Sequence, residues 1–472
     1  MKTEENPRFW HPFSNYEKAL CIVFLLSLPF LHATVNGDGL GYYGYLRSLL
    51  IDHNLQFSSD FQHPEVEIEK IFLNDHFVVN PITKTGHLPN FYSVGPAILW
   101  SPFILVTHVA VLGLGHFGWH VAADGHSWPY LVAMAGSTAL YGFTGLLLSF
   151  ALARNFVEER WAFWATIGIW FGSSVPLYFY VLPSWSHVHS VFATSLFLWY
   201  WQRTIGKRTA WQWLKLGLLS GLMIDVYFIN GVFMLAVIYE VFSASAAAWS
   251  VGAARQEMLV KIFRQNLLCG LGLLLGLLPT FITRQIVFGG PFNVGPYALR
   301  SWNWTSPVFS LVLFSKSHGL FVVTPILILA TAGLFNLRRL DRAFGTICML
   351  ITLVFYVLVS CFPWWYGAIG LGNRLFVSLT PIFVCGLASG FAAAAKLWRD
   401  GRSASFRLIP VTCLFLIWNL GLVYQWQTHL MPWFGPLYWE ELVFNQFRVV
   451  PGQSLHDLGE RFHLLGNIQN RL

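Results

Sequence analysis

The chain has 472 residues, of which 55% are hydrophobic and only 11% charged, with a formal net charge of +7. Ordinary soluble domains carry about 25% charge, so a water-soluble enzyme or carrier is excluded. Apolar runs of 18 or more residues recur along the whole chain without two-residue alternation, which predicts an all-α polytopic membrane protein and excludes a β-barrel.

The first apolar run predicts a helix from about Lys18 to Val35. Glu4, Glu5 and Glu17 dilute the positive flank, and Leu31-His32-Ala33 is a poor cleavage site, so the run reads as a retained span rather than a signal peptide. It leads straight into Asn36-Gly37-Asp38-Gly39-Leu40-Gly41-Tyr42-Tyr43-Gly44-Tyr45-Leu46-Arg47-Ser48. A carboxylate at the end of a span is costly, and Asp38 therefore points to chemistry at the membrane surface. In a helix Tyr43 and Arg47 share a face, and Asp52 and Asp60 follow.

The excess positive charge sits in short clusters between apolar runs, such as Arg154/Arg160, Arg203/Lys207/Arg208/Lys215 and Arg338/Arg339/Arg342. That is the positive-inside pattern rather than a nucleic-acid signal, and it places the N-terminus inside and the 37–127 loop outside. The loop is rich in acids (Asp52, Asp60, Glu65, Glu67, Glu69, Asp75). Charge parity requires one of the runs 91–115 and 128–153 not to cross. The first holds Gly95-Pro96 and Ser101-Pro102, so it is predicted to be a broken, half-inserted helix. Lys84 precedes it, placed to meet a phosphate, and Tyr92 lies at its start.

The remaining spans are predicted at 128–153, 161–181, 187–203, 213–225, 229–250, 264–288, 317–336, 343–362, 375–396 and 407–427, about 11 in all. Asp225 and Asn230 fall at an outer turn, and residues 428–472 form an outer tail. Leu182-Pro183-Ser184-Trp185-Ser186-His187-Val188-His189 opens one span from the outer side. His187 and His189 are two apart and do not share a helix face, so a metal pair is not expected, although His187 alone is a site candidate. Ser315-Lys316-Ser317-His318-Gly319 opens another span, with Lys316 and His318 as candidates. Phe362-Pro363-Trp364-Trp365-Tyr366-Gly367 through Gly372-Asn373-Arg374 sets Trp365 and Arg374 in a glycine-flanked loop able to close on an anion. The six cysteines imply no disulfide framework, and no Walker-type loop provides for an ATP-driven engine.

The acid after span one, the long first outer loop, the Pro-containing segment and the span count resemble the GT-C glycosyltransferases, nearest to the bacterial branch of protein mannosyltransferase-like and aminoarabinose transferase-like enzymes. The resemblance covers about residues 18–250, with 251–427 forming further spans. It implies a GT-C-like fold in a bacterial inner (plasma) membrane, with the site on the non-cytoplasmic side. It also implies transfer of a hexosyl, mannosyl-like sugar from a polyprenyl-phosphate donor to a glycan, lipid or protein acceptor. Asp38 would be the catalytic acid–base group, and Arg47, Lys84 and Arg374 would hold the donor phosphate, with inversion at the sugar. Tyr42, Tyr43, Asp52 and Tyr92 would line the site. Two positions depart from the family pattern. Gly39 follows Asp38 where many members have Glu, and His187 stands where many have a second acid. No cofactor is called for, and a divalent metal stays open. Two rival readings remain: a transporter or flippase of a lipid-linked or small polar solute, and a non-catalytic lipid-binding assembly subunit.

Overall fold

Ser14 starts the first helix by a reciprocal cap: its amide donates to Glu17 Oε2 at 2.8 Å and its Oγ accepts from the Glu17 amide at 3.3 Å. That helix, α1 (Asn15–Ser27), opens the computed structural model of the chain. The structure describes residues 14–61, 82–250, 255–295, 298–367, 369–397, 401–433 and 437–469. The acids Glu65, Glu67, Glu69 and Asp75 lie outside the described residues. Among those described there is no strand, and the protein is an all-helical, multi-pass membrane protein as its composition predicts. The main helices continue as α2 (Asp38–Arg47), α3 (Gly95–His116), α4 (Trp128–Ala153), α5 (Glu159–Gly172), α6 (Ser186–Thr204), α7 (Ala210–Val226) and α8 (Leu235–Trp249). They end with α9 (Arg255–Phe288), α10 (Ile326–Leu340), α11 (Arg342–Cys361), α12 (Thr380–Leu397), α13 (Gly401–Gln427), α14 (Trp439–Arg448) and α15 (Val450–Gln469). Among the described residues seven helices are long and apolar enough to cross a membrane, α3 among them.

Three predicted spans are interrupted, each at a proline that cannot donate to the helical ladder. The first is helical only to Ser27, then turns through Leu28–Phe30, which carries Pro29, and is extended at Leu31. The 161–181 run ends its helix at Gly172 with Ser173 extended, and resumes after Pro176 as the π-helical turn Leu177–Val181. Asn419 of α13 reaches the carbonyls this break frees, donating to Phe171 O and Ser173 O. The 317–336 run splits at Thr324-Pro325 into Leu320–Val323 and α10.

The segment expected to break does not. Helix α3 runs unbroken through Pro102. Pro96 sits in its first turn, where no N–H is needed. Pro102 leaves the carbonyl of Ile98 without its helical donor, and Ser101 Oγ supplies one at 2.7 Å. The segments at both ends of α3 return to α2. Tyr92, just before α3, bonds Asp38 at the start of α2, while Asp124 and Gly125, after α3, bond Arg47 and Tyr43 near its end.

Small residues set a close helix contact between α7 and α9. Gly217 and Gly221 of α7 face Gly272 and Gly276 of α9; a Cβ on Gly217 would stand 2.0 Å from Cys269 O, and one on Gly272 would stand 2.2 Å from Leu214 O. These paired Gly-x-x-x-Gly stretches let two backbones touch without side chains between them. At the C-terminal end, α14 and α15 fold back on α13. Gln446 Nε2 donates to Ile417 O at 3.1 Å, and Tyr424 OH donates to Asp457 Oδ2 at 2.5 Å.

Candidate active site

The glycines of the first motif are spaces for neighbours. Gly37 has φ +56°, and a Cβ there would stand 2.6 Å from the Trp185 ring. A Cβ on Gly39 would meet Ser184 Oγ at 2.1 Å, and one on Gly41 would meet the Tyr92 ring at 1.9 Å. The strand-like approach from Leu31 and this tight turn deliver Asp38 as the first residue of α2.

Both oxygens of Asp38 are engaged. Oδ2 lies 3.0 Å from Arg374 Nη2, and Oδ1 accepts from Tyr92 OH at 3.0 Å. The Arg374 guanidinium also lies over the Trp185 ring, 4.3 Å from its centroid. Trp185 is thereby held between the cation and Gly37, with its Nε1 donating to Asn36 O at 3.0 Å. The loop carrying Arg374 turns through Gly367, Gly370 and Gly372, all at positive φ. Asn373 Nδ2 pins that loop to Trp365 O at 3.0 Å. Arg374 Nε and Nη1 are buried and have no hydrogen-bond partner among the described residues. One edge of the cation thus holds the carboxylate, while its other two nitrogens are buried without a hydrogen-bond partner among the described residues.

Several sequence candidates gather here. Tyr42 accepts from Ser186 Oγ at 2.9 Å and stands edge-on to Tyr92. His187 is buried among the rings of Tyr178, Trp185 and Tyr227, whereas His189 turns the other way, to Trp100 and Tyr141. His318 is buried with its ring 6.2 Å from that of Tyr366. Lys316 is exposed, and its backbone carbonyl accepts from Trp439 Nε1 at 2.8 Å, tying α14 to this loop.

Arg47, Tyr43 and Asp52 gather in a cluster of their own near the end of α2, and none of the contacts described for them reaches Asp38. Arg47 Nη1 lies 2.6 Å from Asp52 Oδ2 and 3.7 Å from Asp60 Oδ2, and its Nε donates to Asp124 O at 3.1 Å. Ser48 Oγ donates to Asp60 at 2.9 Å, and His126 Nε2 lies 3.5 Å from the same carboxylate. Burial, and next the Asp60 carboxylate, push the Tyr43 phenol well above its ordinary pKa, so it stays protonated and donates to Gly125 O at 2.7 Å. Burial opposes ionisation of Asp124, but amide bonds from His126 and Ser127 outweigh it and hold its carboxyl below the usual range. The spacing of Tyr43 and Arg47 is helical as expected, but the acids at 52, 60 and 124 wrap onto that face. The cluster fastens the loop after α3 to the end of α2.

Lys84 is exposed on a tight turn closed by Thr83 and His87, and makes no hydrogen bond or ion pair among the described residues. Among the described residues no group of three or more His, Cys, Asp or Glu side chains is placed to hold a metal ion.

No family model matches the sequence, and no curated protein matches it. Among solved structures the chain is similar to the archaeal oligosaccharyltransferase AglB from Archaeoglobus fulgidus in complex with an inhibitory peptide and a dolichol-phosphate. That likeness has 13% identity and a TM-score of 0.49, and covers 87% of this chain and 55% of that one. It is similar also to the Archaeoglobus fulgidus oligosaccharyltransferase tethered to an acceptor peptide containing the NVT sequon, at 12% identity and a TM-score of 0.47, over 87% of this chain and 54% of that one. The chain spans about half the length of these structures.

Three groups at the site carry no role in the sequence reading: Trp185 as the cation's platform, Tyr178 beside the glycine loop, and Arg284. Arg284 had a signal, since it is a lone cation inside the long apolar run of α9. The roles of Trp185 and Tyr178 depend on contacts across the fold that spacing does not encode.

Proposed function

We propose that the protein is a membrane glycosyltransferase of the GT-C type, moving a sugar from a polyprenyl-phosphate donor to an acceptor hydroxyl or amide. The observation that carries this reading is the Asp38–Arg374 pair, a carboxylate joined to a buried cation whose remaining nitrogens have no hydrogen-bond partner among the described residues. In the reaction Asp38 takes the acceptor proton, the acceptor attacks the anomeric carbon, and Arg374 holds the phosphate as it leaves. A single displacement inverts the sugar. Lys84, exposed at the surface, meets the phosphate on entry, while Arg47 stays in its acidic cluster and leaves the clamp. The positive-inside pattern supports a site on the non-cytoplasmic side, and the resemblance to the bacterial branch supports an inner membrane.

The test is transfer from a radiolabelled polyprenyl-phosphate sugar by the purified protein in nanodiscs, beside a lipid profile of cells with and without the gene. Transfer that needs Asp38, and a polyprenyl-phosphate sugar that accumulates without the gene, are expected. Full transfer by Asp38→Asn, or an unchanged lipid profile, would overturn the reading.

A further inference from the structure

Arg284 lies near the end of α9, is 2% exposed, and places its guanidinium against a turn of backbone rather than against an acid. Its Nη2 donates to Phe91 O at 2.7 Å and to Tyr92 O at 3.2 Å, and its Nη1 donates to Asn90 O at 3.4 Å. The same strap is bound to α2 from the other side. Tyr45 OH donates to Asn90 O at 2.8 Å, and Asn90 Nδ2 donates to Gly41 O at 2.8 Å. Residues 90–92 are therefore fixed between α9 and α2, and the strap's last side chain is Tyr92, whose hydroxyl donates to Asp38. The rings of Phe288 and Phe228 cover the guanidinium, and the buried Asp225 carboxylate at the end of α7 is within electrostatic reach. A buried cation spent on three carbonyls is costly unless it fixes something.

The geometry points to Arg284 as a positioning residue that, by gripping the carbonyls of Asn90, Phe91 and Tyr92, holds the Tyr92 hydroxyl on Asp38 and so aims the carboxylate at the acceptor. The inference rests on the proposed role of Asp38. A guanidinium suits the task because its planar fork reaches several acceptors at once, which an ammonium does not. It also connects the site to the glycine-packed α7–α9 pair, which sets where Arg284 stands.

The test is a double-mutant cycle on the full chain in nanodiscs. Tyr92→Phe and Arg284→Met are each expected to lower kcat about 10-fold, with donor KM changed less than twofold. The double variant should be no slower than the worse single one. Losses that multiply, or wild-type kcat in Arg284→Met, overturn the proposal. Arg284→Lys keeps the buried charge and is the second variant should the methionine form not fold; a smaller loss that vanishes in the Tyr92→Phe background is expected, and full kcat overturns the proposal. A readout that does not need transfer is the rate of carbodiimide labelling of Asp38 by peptide mass spectrometry. It should rise equally in Tyr92→Phe, in either Arg284 variant and in the doubles. An unchanged rate in the Arg284 variants overturns the positioning role even where sugar transfer is found, whereas a raised rate without any wild-type transfer would sink the glycosyltransferase reading alone.

Discussion

At the scale of the residue, Asp38 has two tasks that one substitution separates. Asp38→Asn removes a base, and transfer should fall about 10²–10⁴-fold. It also leaves Arg374, 12% exposed, without its countercharge, which costs about 1.5–3 kcal/mol of stability. The melting temperature in detergent should therefore drop alongside activity; an unaltered melting temperature would mean that the ion pair contributes nothing to the fold. Arg374→Ala should weaken binding of a polyprenyl-phosphate by about 1–3 kcal/mol, and Arg374→Lys should restore only part of it. Equal affinity in both variants and the wild type would remove Arg374 from the donor site. The pairing itself was half legible in the sequence. A charge at the margin of an apolar run advertises itself, as Asp38 and Arg374 both do. Arg47 advertises itself equally, but no spacing rule reveals that Asp60 and Asp124 come back to meet it.

At the scale of the element, helices stop at Pro29, Pro176 and Pro325, where continuous spans were expected, and run on through Pro102, where a break was expected. Ser101 Oγ serves the carbonyl that Pro102 abandons, and Pro279 and Pro410 also lie inside unbroken helices. Helix α3 is nonetheless tied to α2 at both flanks, so we expect its two ends on one side of the membrane. Single cysteines at Gly115 and His120, both exposed, in a background stripped of native cysteines, should react with the impermeant reagent that reaches the Asp38 side. Labelling of these positions only after permeabilisation would mean that α3 crosses. The α7–α9 contact makes a separate prediction. Gly221→Leu inserts a side chain where the Gly276 backbone lies 2.6 Å from an added Cβ, and such overpacking costs about 1–3 kcal/mol. If Arg284 is placed by this contact, transfer should fall further than thermal stability alone accounts for; a variant as active and as stable as the parent would show that the helices are free to separate.

At the scale of the whole molecule, hydropathy and charge clusters were enough to give the class and most helix positions, because both follow from the solvent each segment meets. Which helices touch was not legible, because that depends on small residues whose partners lie far along the chain. The Asp38–Arg374 pair is the extreme case. The acid opens α2, and its cation comes 336 positions later, at the entrance to α12. Domains form while the chain is being synthesised at about 5–20 residues per second, so the carboxylate precedes its partner by about 20–70 s. Tyr92 and Trp185 arrive within that interval and shape the turn, but the countercharge does not. Every nascent copy thus passes through a stage in which Asp38 has no Arg374 to pair with. The ion pair that completes the site also marks the end of that stage, and a chain cut short before Arg374 keeps the mark of an unfinished protein.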